Sequence, residues 1–193
     1  KGTRLEIHLP HLRHNLMQIR RQIKPDTKVL AVVKSFAYGA DVVAISQCLV
    51  KESIDYLGVA YVAEGIALRE AGIEIPILVL HPQTHELQRM VKHQLEPSVY
   101  GWHVLNALKK ILQQEGVEAY PIHLKFNTGL NRLGFSTGQA KAVFQEVETS
   151  HMKVQGVLSH LAATEDPDEK TFTQQQLKAF DGLKTIFGPK PIY

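Results

Sequence analysis

The chain has 193 residues, 44% of them hydrophobic and 21% charged, with 13 glycines and 9 prolines. These are ordinary proportions for a folded globular domain and exclude fibrous and disordered classes. The formal charge of +3, from 22 Lys+Arg against 19 Asp+Glu, is scattered instead of massed in a stripe that could follow a phosphate backbone, so no nucleic-acid partner is expected. No apolar run approaches the roughly 18 residues of a membrane helix, which argues against a membrane role. The single cysteine, Cys48, sits in an apolar helical context where it packs as a small hydrophobe, and a cytoplasmic location fits it. The first residue is Lys1, not Met, with no signal segment after it, so the start is expected to lie inside a longer polypeptide.

In chain order, Arg4 to Leu9 reads as a short strand. Leu9, Leu12, Leu16, Ile19 and Ile23 then recur at steps of three and four, one stripe of a helix that ends before Lys24-Pro25-Asp26. From Lys28 onward, short Val/Ile/Leu-rich runs alternate with amphipathic segments in the rhythm of βα units, which predicts a parallel sheet. The strands expected are Lys28 to Lys34, Asp55 to Ala60, Pro76 to His81, Leu95 to Tyr100, Tyr120 to Asn127 and Val154 to His160. Helices are marked by Gly72 after Ala63 to Ala71, by Thr84 before Leu87/Met90/Val91, by Thr137 before Ala140/Val143/Phe144/Val147, and by Thr171 before Phe172/Leu177/Phe180/Leu183. Ile192-Tyr193 resembles the opening of a seventh strand. A (β/α)8 TIM-type barrel needs about 250 residues, so the expectation is an α/β barrel taken through about six strands, with no interdomain linker.

Chemistry in such barrels sits at the carboxyl ends of strands. Period-two alternation puts Leu30, Val32 and Lys34 on one face, so a lysine ends an apolar strand expected to be buried, where desolvation lowers its pKa and frees the amine to form a Schiff base. In Tyr120 to Asn127 the polar set His123, Lys125 and Asn127 shares the face aimed at the barrel interior, with Arg132 close behind. Val154 to His160 ends in Ser159-His160. The ten histidines show no ligand register, so no metal is expected; Trp102 and Phe144 read as packing, and Glu165 to Glu169 as a solvated loop.

The segment Ala31-Val32-Val33-Lys34-Ser35-Phe36-Ala37-Tyr38-Gly39 resembles the cofactor-lysine segment of alanine racemases, usually Val-Val-Lys-Ala-Asn-Ala-Tyr-Gly. Leu124-Lys125-Phe126-Asn127-Thr128-Gly129-Leu130-Asn131-Arg132-Leu133-Gly134 is similar to the family's Leu-Lys-x-Asp-Thr-Gly-Met-x-Arg-Leu-Gly, and Ser159 to Ala162 to its Ser-His-Phe/Leu-Ala. With the opening Leu5-Glu6-Ile7-His8-Leu9, the resemblance spans essentially the whole chain.

The resemblance implies a fold-type III pyridoxal 5′-phosphate enzyme, truncated here, whose carboxyl-terminal β domain is absent and whose intact form is a cytoplasmic homodimer interconverting L- and D-alanine for peptidoglycan. Residues 1–193 would be an incomplete cofactor-binding barrel, with strand 4–9 belonging to the family's second domain. By the same carry-over, Lys34 would hold the cofactor and act as base on one face of the substrate. Tyr38 would donate to the cofactor phosphate, Arg132 would face its phenolic oxygen, and His160 would orient an arginine further along the chain. Lys125 matches a lysine carbamylated in some members. The second base, a tyrosine of the partner's β domain, has no match here, so this stretch alone is not expected to racemise alanine. Phe36, Ala40-Asp41 and Asn127 depart from the pattern; Asn127 stands where an aspartate is usual. The Lys-Ser-Phe-Ala-Tyr-Gly variant is similar to the racemase half of muramoyl-peptide ligase fusions. A non-catalytic pyridoxal-phosphate carrier barrel is the alternative, and a decarboxylase of the same barrel type is disfavoured by the Lys-x-x-x-Tyr-Gly spacing.

Overall fold

A computed structural model describes residues 2–193, which fall into two compact units: the chain up to His81 with Arg89–Leu95, and Pro82–Gln88 with Glu96–Tyr193. In the first unit, α1 (Leu9–Gln22) precedes β1 (Leu30–Val32), a six-residue turn α2 (Lys34–Gly39), α3 (Val42–Lys51), β2 (Tyr56–Val59), α4 (Val62–Glu70) and β3 (Ile77–Val79). The three strands are parallel and adjacent in chain order, Leu30 opposite Tyr56 and Leu57 opposite Ile77. Such pairing needs crossover connections, and the amphipathic segments supply them as helices. Leu57, Val59, Ile77 and Val79 are fully buried, each contributing on the order of 1.5–3 kcal/mol of burial. Cys48 is buried within α3, as its context predicts.

Two expectations fail at the amino-terminal end. Residues 2–8 lie in no helix or strand, and Leu9 already belongs to α1. A strand exists through its ladder, and among the described residues none pairs with this segment; Leu5 is 69% exposed. Along α1 only Leu16 is buried, while Ile19 is 51% exposed, so the helix rests on a narrower strip than its periodicity suggests. It is tied to α3 by Arg20, whose guanidinium donates to the carbonyls of Glu52 (2.9 Å) and Ser53 (2.6 Å) at the end of that helix. Arg69 of α4 makes a second clamp, donating to the carbonyls of Ile73, Ile75, His93 and Gln94 at 2.7–3.2 Å.

Thr84 opens a 3-10 turn that runs into α5 (Leu87–Lys92). The second unit holds β4 (Glu96–Val99), α6 (Trp102–Glu115), β5 (Tyr120–Asn127), β6 (Phe135–Ser136), α7 (Ala140–Glu148), β7 (Met152–Leu158) and α8 (Lys170–Phe187). The long strand β5 pairs in parallel with β4, β6 and β7. Its residues Ile122, Leu124 and Phe126 are fully buried, and Phe126 packs against Phe135 and Phe187 at ring distances of 5.9 and 5.6 Å. Trp102 and Phe144 are packing residues, edge-on to Phe135 and Phe187. Ile192 forms a parallel bridge to Gly156, with Ile192 N–H donating to the Gln155 carbonyl (2.9 Å) and Val157 N–H to that of Ile192 (2.8 Å), so the expected seventh strand begins where the sequence puts it.

Helix ends in this unit depart in detail. Ser136, not Thr137, caps the turn into α7, with the Gln139 side-chain oxygen accepting from the Ser136 amide (3.0 Å). α8 opens at Lys170, after a 3-10 turn whose Asp168 amide donates to the Asp166 carboxylate (2.9 Å). Its buried face is rotated from expectation: Gln176 is fully buried and Leu177 is 46% exposed.

Candidate active site

In the first unit, β1 is half-buried rather than buried, with Val32 38% exposed. Leu30 and Val32 reach over Gly58 of β2, where an added Cβ would lie 2.9 Å from Leu30 Cδ2, so the close approach requires glycine there. Lys34 follows at the strand's carboxyl end and is itself half-buried. The burial expected at Lys34 is found instead at Lys125, 7% exposed.

Beyond Lys34 the chain changes hand. Ser35, Phe36, Ala37 and Tyr38 have φ of 52 to 59° and ψ of 40 to 50°, four successive left-handed residues, none of them glycine. Left-handed helical geometry crowds Cβ against the next carbonyl at roughly 1–2 kcal/mol per residue, so the turn carries on the order of 4–8 kcal/mol of local cost. Two hydrogen bonds offset part of it: Ala37 N–H donates to the Val33 carbonyl (3.0 Å), and Ser35 N–H to Oε1 of Glu64 on α4 (2.8 Å). The other Glu64 oxygen accepts from the amides of Ala60 (2.6 Å) and Tyr61 (3.3 Å). The result brings Tyr38 beside Lys34, whose Nζ lies 6.0 Å from the phenol ring centroid, with Tyr38 69% exposed. An amine and a phenol held together on an exposed, strained turn suit an aldehyde carrying an anionic group.

In the second unit, β5 carries Lys125 on the face it shares with His123. His123 is buried and donates from Nε2 to Oε2 of Glu96 (2.6 Å). The Lys125 side chain makes no hydrogen bond or ion pair among the described residues, and its pKa is lowered, first by burial and second by the positive charge of Arg132. The exposed Arg132 lies on a loop organised by Asn127, whose Oδ1 accepts from the amides of Gly129 (3.0 Å) and Asn131 (3.0 Å) while its Nδ2 donates to Asn131 Oδ1 (2.9 Å). The amide thus does the turn-forming work a carboxylate would do, without its charge. Gly134 closes the loop at φ +130°, where a Cβ would lie 2.6 Å from the Asn127 nitrogen.

The ends of β5 and β7 are joined by a directional hydrogen-bond chain. Gln176 Nε2 donates to Thr128 Oγ1 (3.4 Å), Thr128 to Ser159 Oγ (2.7 Å), and Ser159 to the Phe126 carbonyl (2.8 Å), which as a pure acceptor fixes the direction. Gln176 also donates to the His160 carbonyl (3.2 Å) and accepts from the Ala162 amide (3.0 Å), so it anchors the backbone that presents the exposed His160 ring. Lys34 and Tyr38 therefore meet in the first unit, and Lys125 is within the electrostatic reach of Arg132 in the second. Glu64 and Gln176 went unnoticed in the sequence. Glu64 at the third position of α4 carries a capping signal, whereas nothing but helical phase separates Gln176 from Gln174 and Gln175.

Residues 7–191 match the family described as alanine racemase, N-terminal domain. The alanine racemase of Thermodesulfovibrio yellowstonii is 34% identical over 194 residues, covering 97% of this chain and 52% of that protein. The alanine racemase of Nostoc sp. is 35% identical over 190 residues, covering 94% and 48%. Among solved structures, alanine racemase of Clostridium difficile in complex with cycloserine superposes with a TM-score of 0.86 at 28% identity, covering 92% of this chain and 49% of that one. Alanine racemase of Bacillus anthracis with bound L-Ala-P gives 0.83 at 26% identity, covering 96% and 49%. The chain spans about half the length of the curated relatives it matches. The α/β barrel expected from the strand rhythm is the fold of these relatives' amino-terminal part. On this match, and on the segments around Lys34, Lys125 and Ser159 that carry it, the chain belongs to the alanine racemase N-terminal domain family.

Proposed function

We propose that this chain is the cofactor-binding part of an alanine racemase, which interconverts L- and D-alanine as a cytoplasmic homodimer and supplies D-alanine for peptidoglycan. The family is pyridoxal-phosphate-dependent. The observation that carries the reading is the left-handed turn that sets Tyr38 beside Lys34. Once bound, pyridoxal 5′-phosphate supplies a conjugated electron sink that acidifies the α-proton of an amino acid joined to it.

Lys34 is the residue that joins the cofactor and then takes or returns a proton at Nζ on one face of the substrate. Tyr38 donates its hydroxyl to a phosphate oxygen. Arg132 donates to the phenolic oxygen, and His160 orients an arginine contributed from outside residues 1–193. Lys125, buried and unpaired with its pKa lowered, is suited to add carbon dioxide at Nζ, releasing a proton and gaining a carboxylate that would hold Arg132. Residues 4–9, of which 4–8 are exposed and outside any ladder here while Leu9 opens α1, are assigned to a strand of the family's second domain. Addition of pyridoxal 5′-phosphate, borohydride reduction and peptide mass analysis test the assignment: the modification is expected on Lys34, and label spread across surface lysines overturns it.

A further inference from the structure

We propose that Glu64 is the positioning residue of the cofactor lysine, an inference that rests on the function proposed above. Its carboxylate grips both the exit of β1 and the exit of β2. Oε1 accepts from Ser35, the residue directly after Lys34 and the first left-handed position, while Oε2 accepts from Ala60 and Tyr61 ahead of α4. Both oxygens are therefore acceptors facing main-chain N–H groups, a task only an ionised carboxylate performs on both sides. Glu64 also sits in the first turn of α4, where the helix end favours its negative charge. The strained turn thus has an external brace: its backbone is held to α4, and the Cα of Lys34 is fixed with it. Without the brace, four non-glycine residues are free to revert to ordinary right-handed or extended geometry, and the Lys34 amine and Tyr38 phenol part.

Glu64→Gln keeps the shape and forces an NH2 group against one of the two sets of N–H donors. In the full chain, E64Q is expected to weaken the apparent affinity for pyridoxal 5′-phosphate at Lys34 about tenfold, read from borohydride-trapped label, which is the scale of one lost charge-assisted hydrogen bond. Hydrogen exchange at the Ser35 and Ala37 amides, measured without cofactor, is expected to speed up by about the same factor. Arg69→Lys, which loosens a clamp on different loops of the same unit, serves as the control: it is expected to lower the unfolding midpoint and leave Lys34 labelling at the parent level. Parent-like labelling and parent-like Ser35 exchange in E64Q overturn the inference and leave the proposed function standing. An R69K chain that loses Lys34 labelling as E64Q does also overturns it, by showing that destabilisation alone accounts for the loss. Absence of label on Lys34 in the parent overturns the proposed function and, with it, the role assigned to Glu64.

Discussion

Gln176→Ala tests the hydrogen-bond chain that fastens β7 to β5. The side chain is fully buried and makes two good bonds, from the Ala162 amide at 3.0 Å and to the His160 carbonyl at 3.2 Å, plus a longer one to Thr128 at 3.4 Å. Two net bonds contribute about 1 kcal/mol each, and removing the one buried methylene, Cγ, adds about 0.8 kcal/mol, so the loss should be about 3 kcal/mol. Both backbone partners lie at residues exposed to water, which keeps the full penalty of stranded polar groups out of the sum. Gln176→Leu fills the space without the bonds and should lose about 2 kcal/mol, separating polar from packing contributions. Urea unfolding at equal slope reads both values. If both variants lie within about 0.5 kcal/mol of the parent, Gln176 does not hold these strand ends and the reasoning fails.

Lys125→Met should stabilise the protein at neutral pH in carbonate-free buffer. The folded-state pKa of Lys125 lies below its unfolded 10.5, so between the two the unfolded chain binds more protons and stability rises with pH. The advantage of K125M should therefore shrink as pH rises toward 10.5, and urea midpoints showing a constant gap contradict it. Asn127→Ala removes both backbone caps and should cost about 1–2 kcal/mol in urea unfolding, whereas Asn127→Asp keeps the oxygen that accepts both bonds and should cost under about 1 kcal/mol; equal losses contradict the turn-forming role. Gly156→Ala puts a methyl group into the His123 ring and should break its bond to Glu96, costing roughly 3 kcal/mol, whereas in a chain already carrying H123A, which lacks both ring and bond, the same methyl should cost far less. Additive losses in that double-mutant cycle rule out the clash.

Legibility in the sequence tracked how local the governing physics is. β5 occupies the expected Tyr120 to Asn127 because its two faces alternate cleanly and every residue but Pro121 and Asn127 is buried. β1 shrinks to Leu30–Val32 because its carboxyl end is consumed by the reversal of hand, and nothing in Lys-Ser-Phe-Ala-Tyr-Gly announces four left-handed residues when glycine comes only at the end. The two-residue β6 was invisible, since Phe135 and Ser136 pair only because Gly134 brings them against Phe126 and Asn127. Motif similarity found the reactive side chains. It could not find the carboxylate and carboxamide that brace them, because Glu64 acts across 29 residues and Gln176 across 48.

The reversed hand of Ser35 to Tyr38 also constrains how this protein can be engineered. Replacing exposed residues by strong helix formers is a standard route to greater stability, and Phe36, 74% exposed, looks like an obvious target. Here such a change would reward the competing right-handed turn and unfasten the segment it was meant to secure. At Ser35, Phe36 and Ala37, where no side chain is assigned to the cofactor, the residues to prefer are those that tolerate mirror-image dihedral angles, asparagine and glycine foremost.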